Sequence, residues 1–232
     1  MAIERVAEID DRVPIRRALV SVSDKRGLDR LMHQLVTNCG ALEVYSTGGT
    51  YTALKDIARD LSGLTVTAVS DYTGQPEMRG GLVKTLDFRI YLGLLSETYN
   101  VDHQSDLTRL SAVPFDLTVV NLYPFTRTVA TQGSDCEAAR GNIDIGGPAM
   151  LRASAKNYLR VAVLANPDDY EALIEEVSTH AGATTLAFRR KMAAATFEAT
   201  ALYDRAIADY LVSRSDTEVS SPYATVHPEA RA

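Results

Sequence analysis

The chain has 232 residues, 46% of them hydrophobic, and 30 acidic against 24 basic side chains give a formal charge of −6. That length buries one sizeable core and favours one domain over two, and the negative balance argues against wholesale attraction to nucleic acid or an anionic membrane. Two cysteines, Cys39 and Cys136, are too few for a disulfide framework, and the four histidines show no metal-ligand spacing. MAIERVAEIDDRVPIRR lacks the apolar centre of a signal peptide, and no apolar run approaches the roughly 18 residues of a membrane span, which predicts a cytoplasmic protein.

After an N-terminal extension over 1–16, short apolar runs alternate with helical patterns, the mark of an α/β fold with a mostly parallel sheet. RALVSV (Arg17 to Val22) reads as the first strand, followed by a helix in which Leu28, Leu31, Met32 and Leu35 recur at i, i+3, i+4, i+7, with Ser23 or Asp24 as its cap. ALEVYS reads as a second strand that turns through TGGT into a second helix. Further strands are predicted at LTVTAV, FDLTVVNL and LRVAVLAN, the last leading into a capped helix at NPDDYEALIEEV. In IDIGGPAMLRASAKN, Asp144, the Gly146-Gly147 pair and Pro148 open a helix with an apolar body. The alanine-rich stretch ending at Val212 closes the 17–212 domain with one long helix or two, and the polar residues 213–232 read as a flexible tail.

In an open parallel sheet the ligand sits beyond the carboxyl ends of the strands, where SVSDK, STGGT and NLYPF fall. STGGT offers hydroxyls and a glycine pair at a helix N-terminus, and SVSDK adds Ser21, Ser23 and Lys25. Each alone reads most simply as capping and turn chemistry; two in succession favour a monophosphate cradle. Lys84 lies in an apolar stretch after a glycine turn, either as a solvated charge or as an ammonium able to stabilise an oxyanion. Tyr123 offers a phenol at a strand end, and Asp144 is either a helix cap or a general base. Arg152 and Lys156 are four apart on one helix face, where like charges repel, so a negative group is expected beside them.

Taken in order, SVSDK, STGGT, YTGQPEM, GGLVKTL, NLYPF, IDIGGPAMLRASAKN and NPDDY resemble the IMP cyclohydrolase domain of bifunctional purine-biosynthesis proteins, over about Arg17 to Leu211. The resemblance implies a methylglyoxal-synthase-like three-layer α/β fold and dehydrative closure of a formamido-carboxamide ribonucleotide to an IMP-like ring, with no metal or organic cofactor. It makes Lys84, Tyr123, Asp144 and Lys156 the catalytic group. Ser21, Ser23, Lys25, Thr47, Gly49 and Thr50 match phosphate-binding positions, while Thr85, Asn121, Ile145, Gly146 and Gly147 match positions lining the base and the reacting amide. On this resemblance Asp144 accepts the carboxamide proton, Lys84, held by Tyr123, stabilises the oxyanion, and Lys156 lowers the pKa of the carboxylate.

The chain departs from the family pattern at Leu82, where an arginine is usual, and at Asp87-Phe88, where His-Pro is usual. Losing a guanidinium removes a fixed charge and five donors, which opens the choice of substrate. No stretch like RYGENPHQ, which opens the family's formyltransferase domain, occurs in the sequence, so either a separate upstream formyltransferase is the expected partner or the family's second half has been cut away. Two roles follow: ordinary purine synthesis, or closure of a pyrazole C-nucleotide of the formycin type, with a slight preference for the second. A phosphate-binding regulatory module would not need the four catalytic residues together, and a phosphate-eliminating lyase fits KTL, NLYPF and IDIGG poorly. The pattern is compatible with a homodimer without specifying one.

Overall fold

The computed structural model describes residues 5–75, 85–131 and 135–224. The chain runs through β1 (Arg12–Pro14), β2 (Arg17–Val22), α1 (Leu28–Cys39), β3 (Leu42–Ser46), α2 (Gly48–Asp60), β4 (Leu64–Ala68) and the short α3 (Val69–Thr73). After the undescribed 76–84 come α4 (Phe88–Leu95), α5 (Val101–Arg109), β5 (Leu117–Asn121), α6 (Phe125–Ala130), α7 (Cys136–Gly141) and α8 (Gly146–Lys156). The last elements are β6 (Ala162–Leu164), α9 (Tyr170–Thr179), β7 (Ala183–Thr185), α10 (Leu186–Val212) and α11 (Asp216–Ser220).

Five strands form a parallel sheet in the order β4-β3-β2-β5-β6, with Val20 opposite Ser46 and Val22 opposite Asn121. Side chains alternate across it, as the pleat requires. Ala18, Val20, Val22, Leu117 and Val119 meet α1, α2 and α9 through Leu31, Leu35, Leu54 and Leu173. Leu19, Val120 and Val163 face the other layer, where Ile90, Leu94, Met150, Leu151 and Ala193 pack from α4, α8 and α10. The result is the three-layer α/β architecture that the strand pattern predicts, and no helix among the described residues is long and apolar enough to cross a membrane.

Local signals and packing differ in weight. Neither Ser23 nor Asp24 caps α1: its first turn is entered from Gly27 in a left-handed conformation (φ 70°), with no side-chain cap. A cap is worth about 1 kcal/mol, whereas each fully buried leucine-sized side chain contributes about 1.5–3 kcal/mol, so the four buried residues Leu28, Leu31, Met32 and Leu35 fix this helix without one. Asp24 instead accepts from the Arg26 N–H at 3.0 Å and its Nε at 2.7 Å.

The structure adds to the sequence pattern near both ends of the chain and corrects it at α8. The N-terminal extension contributes a strand, since β1 pairs antiparallel with β7. The segment from Ser213 is not structureless as far as Ala224: Ser215 and Glu218 form a reciprocal capping box that starts α11, and the Tyr223 phenol donates to Glu137 of α7. The cations of α8 are not buried around an anion. Gly147, Met150, Leu151, Ser154 and Ala155 make up the buried face of that helix, while Arg152 and Lys156 are exposed and the Arg152 guanidinium lies 5.5 Å from the Phe197 ring centroid.

At the end of the sheet where the strands begin, charge is buried and fully engaged. Asp116 accepts from the Arg16 and Arg17 N–H groups at 2.9 and 3.0 Å and from Arg160 at 3.4 Å. Burial pushes the Asp116 carboxyl above its ordinary range, against the pull of those two N–H groups and Arg160. Arg189, wholly buried, donates to the carbonyls of Asp10, Asp11, Tyr158, Leu159 and Thr184.

Candidate active site

The loops after β2, β3 and β5 meet at the opposite end of the sheet, because those three strands are adjacent and parallel. Ser21 and Ser23 are half-buried around the last residue of β2, with Lys25 exposed beyond them. Across from them, Thr47 precedes α2 and its side chain does not cap the helix, so the first N–H groups of α2 face outward with no side-chain acceptor. The Lys25 ammonium lies 3.9 Å from where a Cβ on Gly49 would stand. A cation over uncapped helix N–H groups is an arrangement that suits a phosphate dianion.

Two other predicted residues hold this cradle together. The buried Thr50 hydroxyl donates to the Val22 carbonyl at 2.9 Å and accepts from the Val22 N–H at 3.0 Å, tying α2 to the end of β2. The Asn121 amide does the same for the backbone two residues on, accepting from the Asp24 N–H and donating to the Asp24 carbonyl, both at 2.8 Å. Both side chains are therefore engaged with backbone.

The second cluster forms where β5 runs out and α8 begins. Asp144 is half-buried, and burial raises its carboxyl pKa from the ordinary 3.8, opposed by the N–H groups of Gly147 and Tyr123 that point at it. The Gly147 bond measures 2.8 Å. Both glycines of the pair are sites of close approach: a Cβ on Gly147 would stand 2.5 Å from Asp144 Oδ2, and one on Gly146 would stand 2.6 Å from the hydroxyl of the buried Thr85. Tyr123 and Ile145, 57% and 63% exposed, stand at the open side of the cluster.

The geometry thus brings together Ser21, Ser23, Lys25, Thr47, Gly49, Thr50 and Asn121 in one group, and Thr85, Tyr123, Asp144, Ile145, Gly146 and Gly147 in another, joined through the end of β5. Lys84 and Leu82 lie outside the described residues. Lys156 does not join them. Gly147 approaches Leu122 just past the end of β5, whereas the Ser154 hydroxyl bonds Thr118 near its start, so α8 runs antiparallel to that strand. At 1.5 Å per residue, the ten residues from Gly146 put Lys156 about 15 Å down the axis, and it is no neighbour of the Asp144 carboxylate. Asp87, one of the departures, caps α4 by accepting from the Arg89 N–H at 2.8 Å, and Phe88 beside it is 56% exposed.

One residue absent from the sequence-based site is Tyr203 of α10, whose Oη accepts from the Asp144 N–H at 2.8 Å. No local pattern marks it within a long alanine-rich helix; the only hint is a tyrosine at position 210, seven residues on, repeating on the same helix face.

Comparison with known proteins agrees with this fold. The MGS-like domain model matches residues 28–149, just over half of the chain. The chain belongs to the MGS-like domain family. A model of the AICARFT/IMPCHase bienzyme matches residues 154–231. The bifunctional purine biosynthesis protein PurH of Cutibacterium acnes is 48% identical over 211 residues, covering 91% of this chain and 39% of that protein. PurH of Gloeothece citriformis is 46% identical over 210 residues, 90% of this chain and 40% of that protein. The chain therefore spans about two fifths of the length of these curated relatives. Among solved structures, ForH superposes with a TM-score of 0.69 at 29% identity, covering 84% of this chain and 97% of ForH.

Proposed function

We propose that the protein is an IMP-cyclohydrolase-like enzyme that closes a 5-formamido-4-carboxamide ribonucleotide to a fused, purine-type nucleotide with loss of water. The observation that carries this reading is Asp144, a half-buried carboxylate with a raised pKa, held by the Gly147 N–H at 2.8 Å at the open end of the sheet beside a phosphate-type cradle. A carboxylate whose charge is disfavoured by burial is a better proton acceptor than one in water.

In this mechanism the cradle of Lys25, Thr47 and the α2 N-terminus takes the 5′-phosphate. Asp144 removes a proton from the carboxamide nitrogen as that nitrogen adds to the formyl carbon, so a C–N bond forms and the carbonyl π pair moves onto oxygen. Lys84, assigned by its GGLVKTL motif, and Tyr123 stabilise that oxyanion; Lys84 protonates it to a hydroxyl, and Asp144 returns the carboxamide proton so that it leaves as water. The formamido nitrogen forms the ring C=N bond to that carbon and gives up its own proton, which restores the Lys84 ammonium.

The substrate in this reading is the pyrazole C-nucleotide in preference to the imidazole nucleotide. In GGLVKTL, Leu82 replaces the usual arginine with an apolar side chain, the exposed Phe88 replaces a proline with an aromatic ring, and the Asp87 carboxylate that replaces a histidine is engaged at the head of α4. Ring closure followed by ultraviolet absorbance on both substrates tests this. A higher kcat/KM on the pyrazole is expected; a clear preference for the imidazole would make the protein an ordinary purine cyclohydrolase, and turnover of neither would make it a binding module.

A further inference from the structure

The long closing helix α10 reaches the chemistry through one side chain. Tyr203 Oη accepts from the Asp144 N–H at 2.8 Å and donates to the Asn142 carbonyl at 3.5 Å, so a single phenol engages the backbone on both sides of Ile143. Its ring packs edge-on against Phe125, with centroids 6.4 Å apart and planes at 72°. Tyr210, two turns further along α10, meets the same Phe125 ring at 5.6 Å. Phe125 is buried, and its N–H donates to the Tyr123 carbonyl at 2.8 Å. One side chain therefore touches both loops that carry the proposed chemistry, NLYPF and IDIGG.

We infer that Tyr203 is a positioning residue for ring closure: its phenol fixes the Asp144 backbone and its ring fixes the Tyr123 loop, so that carboxylate and phenol face one substrate. This rests on the reading of Asp144 as proton acceptor. Tyr203 acts through geometry and not through charge. Burial raises its pKa above the ordinary 10.0, so it stays neutral across the working range, and its hydrogen bond is to the Asp144 backbone N–H and not to the carboxylate. A well-placed hydrogen bond of this kind matters because a displacement of about 1 Å at a reacting group costs up to about 100-fold in rate.

The test is Tyr203→Phe, which keeps the ring and deletes Oη, assayed on the formamido-carboxamide ribonucleotide. The expected result is a loss of about tenfold in kcat with KM within about twofold of wild type, and no movement of the acid limb of the pH profile. In an Asp144→Glu background, where the carboxylate is already displaced, the same substitution is expected to cost less than about twofold, because the two changes act on one element. An equal loss in both backgrounds marks a merely structural tyrosine and overturns the inference, as does wild-type kcat for Tyr203→Phe. Phe125→Leu cuts the ring contact instead and serves where Tyr203→Phe does not fold; a fall in kcat is expected, and unchanged kcat overturns the role. Failure of the underlying reading looks different: wild-type turnover by Asp144→Asn removes Asp144 as proton acceptor, whereas loss in Asp144→Asn with none in Tyr203→Phe removes only the tyrosine's role.

Discussion

The two ends of the parallel sheet handle polar groups in opposite ways. Where the strands begin, Asp116, Arg160 and Arg189 are buried, and each meets several partners: Asp116 takes two backbone N–H groups and a guanidinium, and Arg189 donates to five carbonyls. Where the strands end, Lys25 and Tyr123 stand exposed, α2 has no side-chain cap, and Asp144 is held only by N–H groups. Burying a charge is tolerable only when its hydrogen-bonding capacity is filled. The first end fills it from within the chain and contributes rigidity; the second leaves donors for a ligand. Lys156, at the foot of α8, belongs by position to the first end.

The comparison can be broken in four ways. The largest effect is expected at Asp144→Asn, which should lose about 100- to 10,000-fold in kcat, the usual contribution of a general base. Its thermal midpoint should hold or rise, since burial already disfavours the charge. Next comes Asp116→Ala, which leaves the Arg160 guanidinium buried without its counter-ion and should cost about 3–5 kcal/mol in denaturant unfolding. In the fraction that remains folded, kcat should stay near wild type; a large loss there would mean the two ends are not separable. Third, the acid limb of kcat/KM should lie above pH 3.8, because the Asp144 pKa is raised from that value. The sign for stability is opposite: a carboxyl raised in the folded state favours the fold when protonated, so its contribution is present below 3.8 and lost as pH rises through the folded value. The smallest effect is expected at Lys156→Ala, with steady-state turnover within about threefold (~0.7 kcal/mol). A larger loss would mean that Lys156 serves the site of a second copy of the chain.

Much of the fold was legible because packing periodicity is local. The four buried positions of α1, the runs of β2, β3, β4 and β5, and the helix after NPDD each carry their signal within a dozen residues. β1 and β7 carry almost none: three residues each, they are strands only because each finds the other. The same limit governs the site. Glycine pairs and hydroxyls at strand ends mark the cradle from sequence, yet nothing in the sequence says that Thr50 and Asn121 face backbone and not solvent. The face of α8 was misread for a related reason: its alanines look buried all round, but Arg152 and Lys156 follow an exposed stripe that appears only once the neighbouring strands are in place. Tyr203 lies 59 residues from the loop it holds, a relation that no local pattern encodes.

The Arg189 side chain gathers carbonyls from Asp10 and Asp11 at one extreme of the domain and from Thr184 near the other, alongside the β1–β7 ribbon. During synthesis β1 emerges first and waits for a partner that is still untranslated. At about 5–20 residues per second, β7 follows roughly ten to thirty seconds later. Closure of the ribbon thus waits, with the docking of α10, until nearly the whole domain has been made, and until then β1 has no strand to pair with.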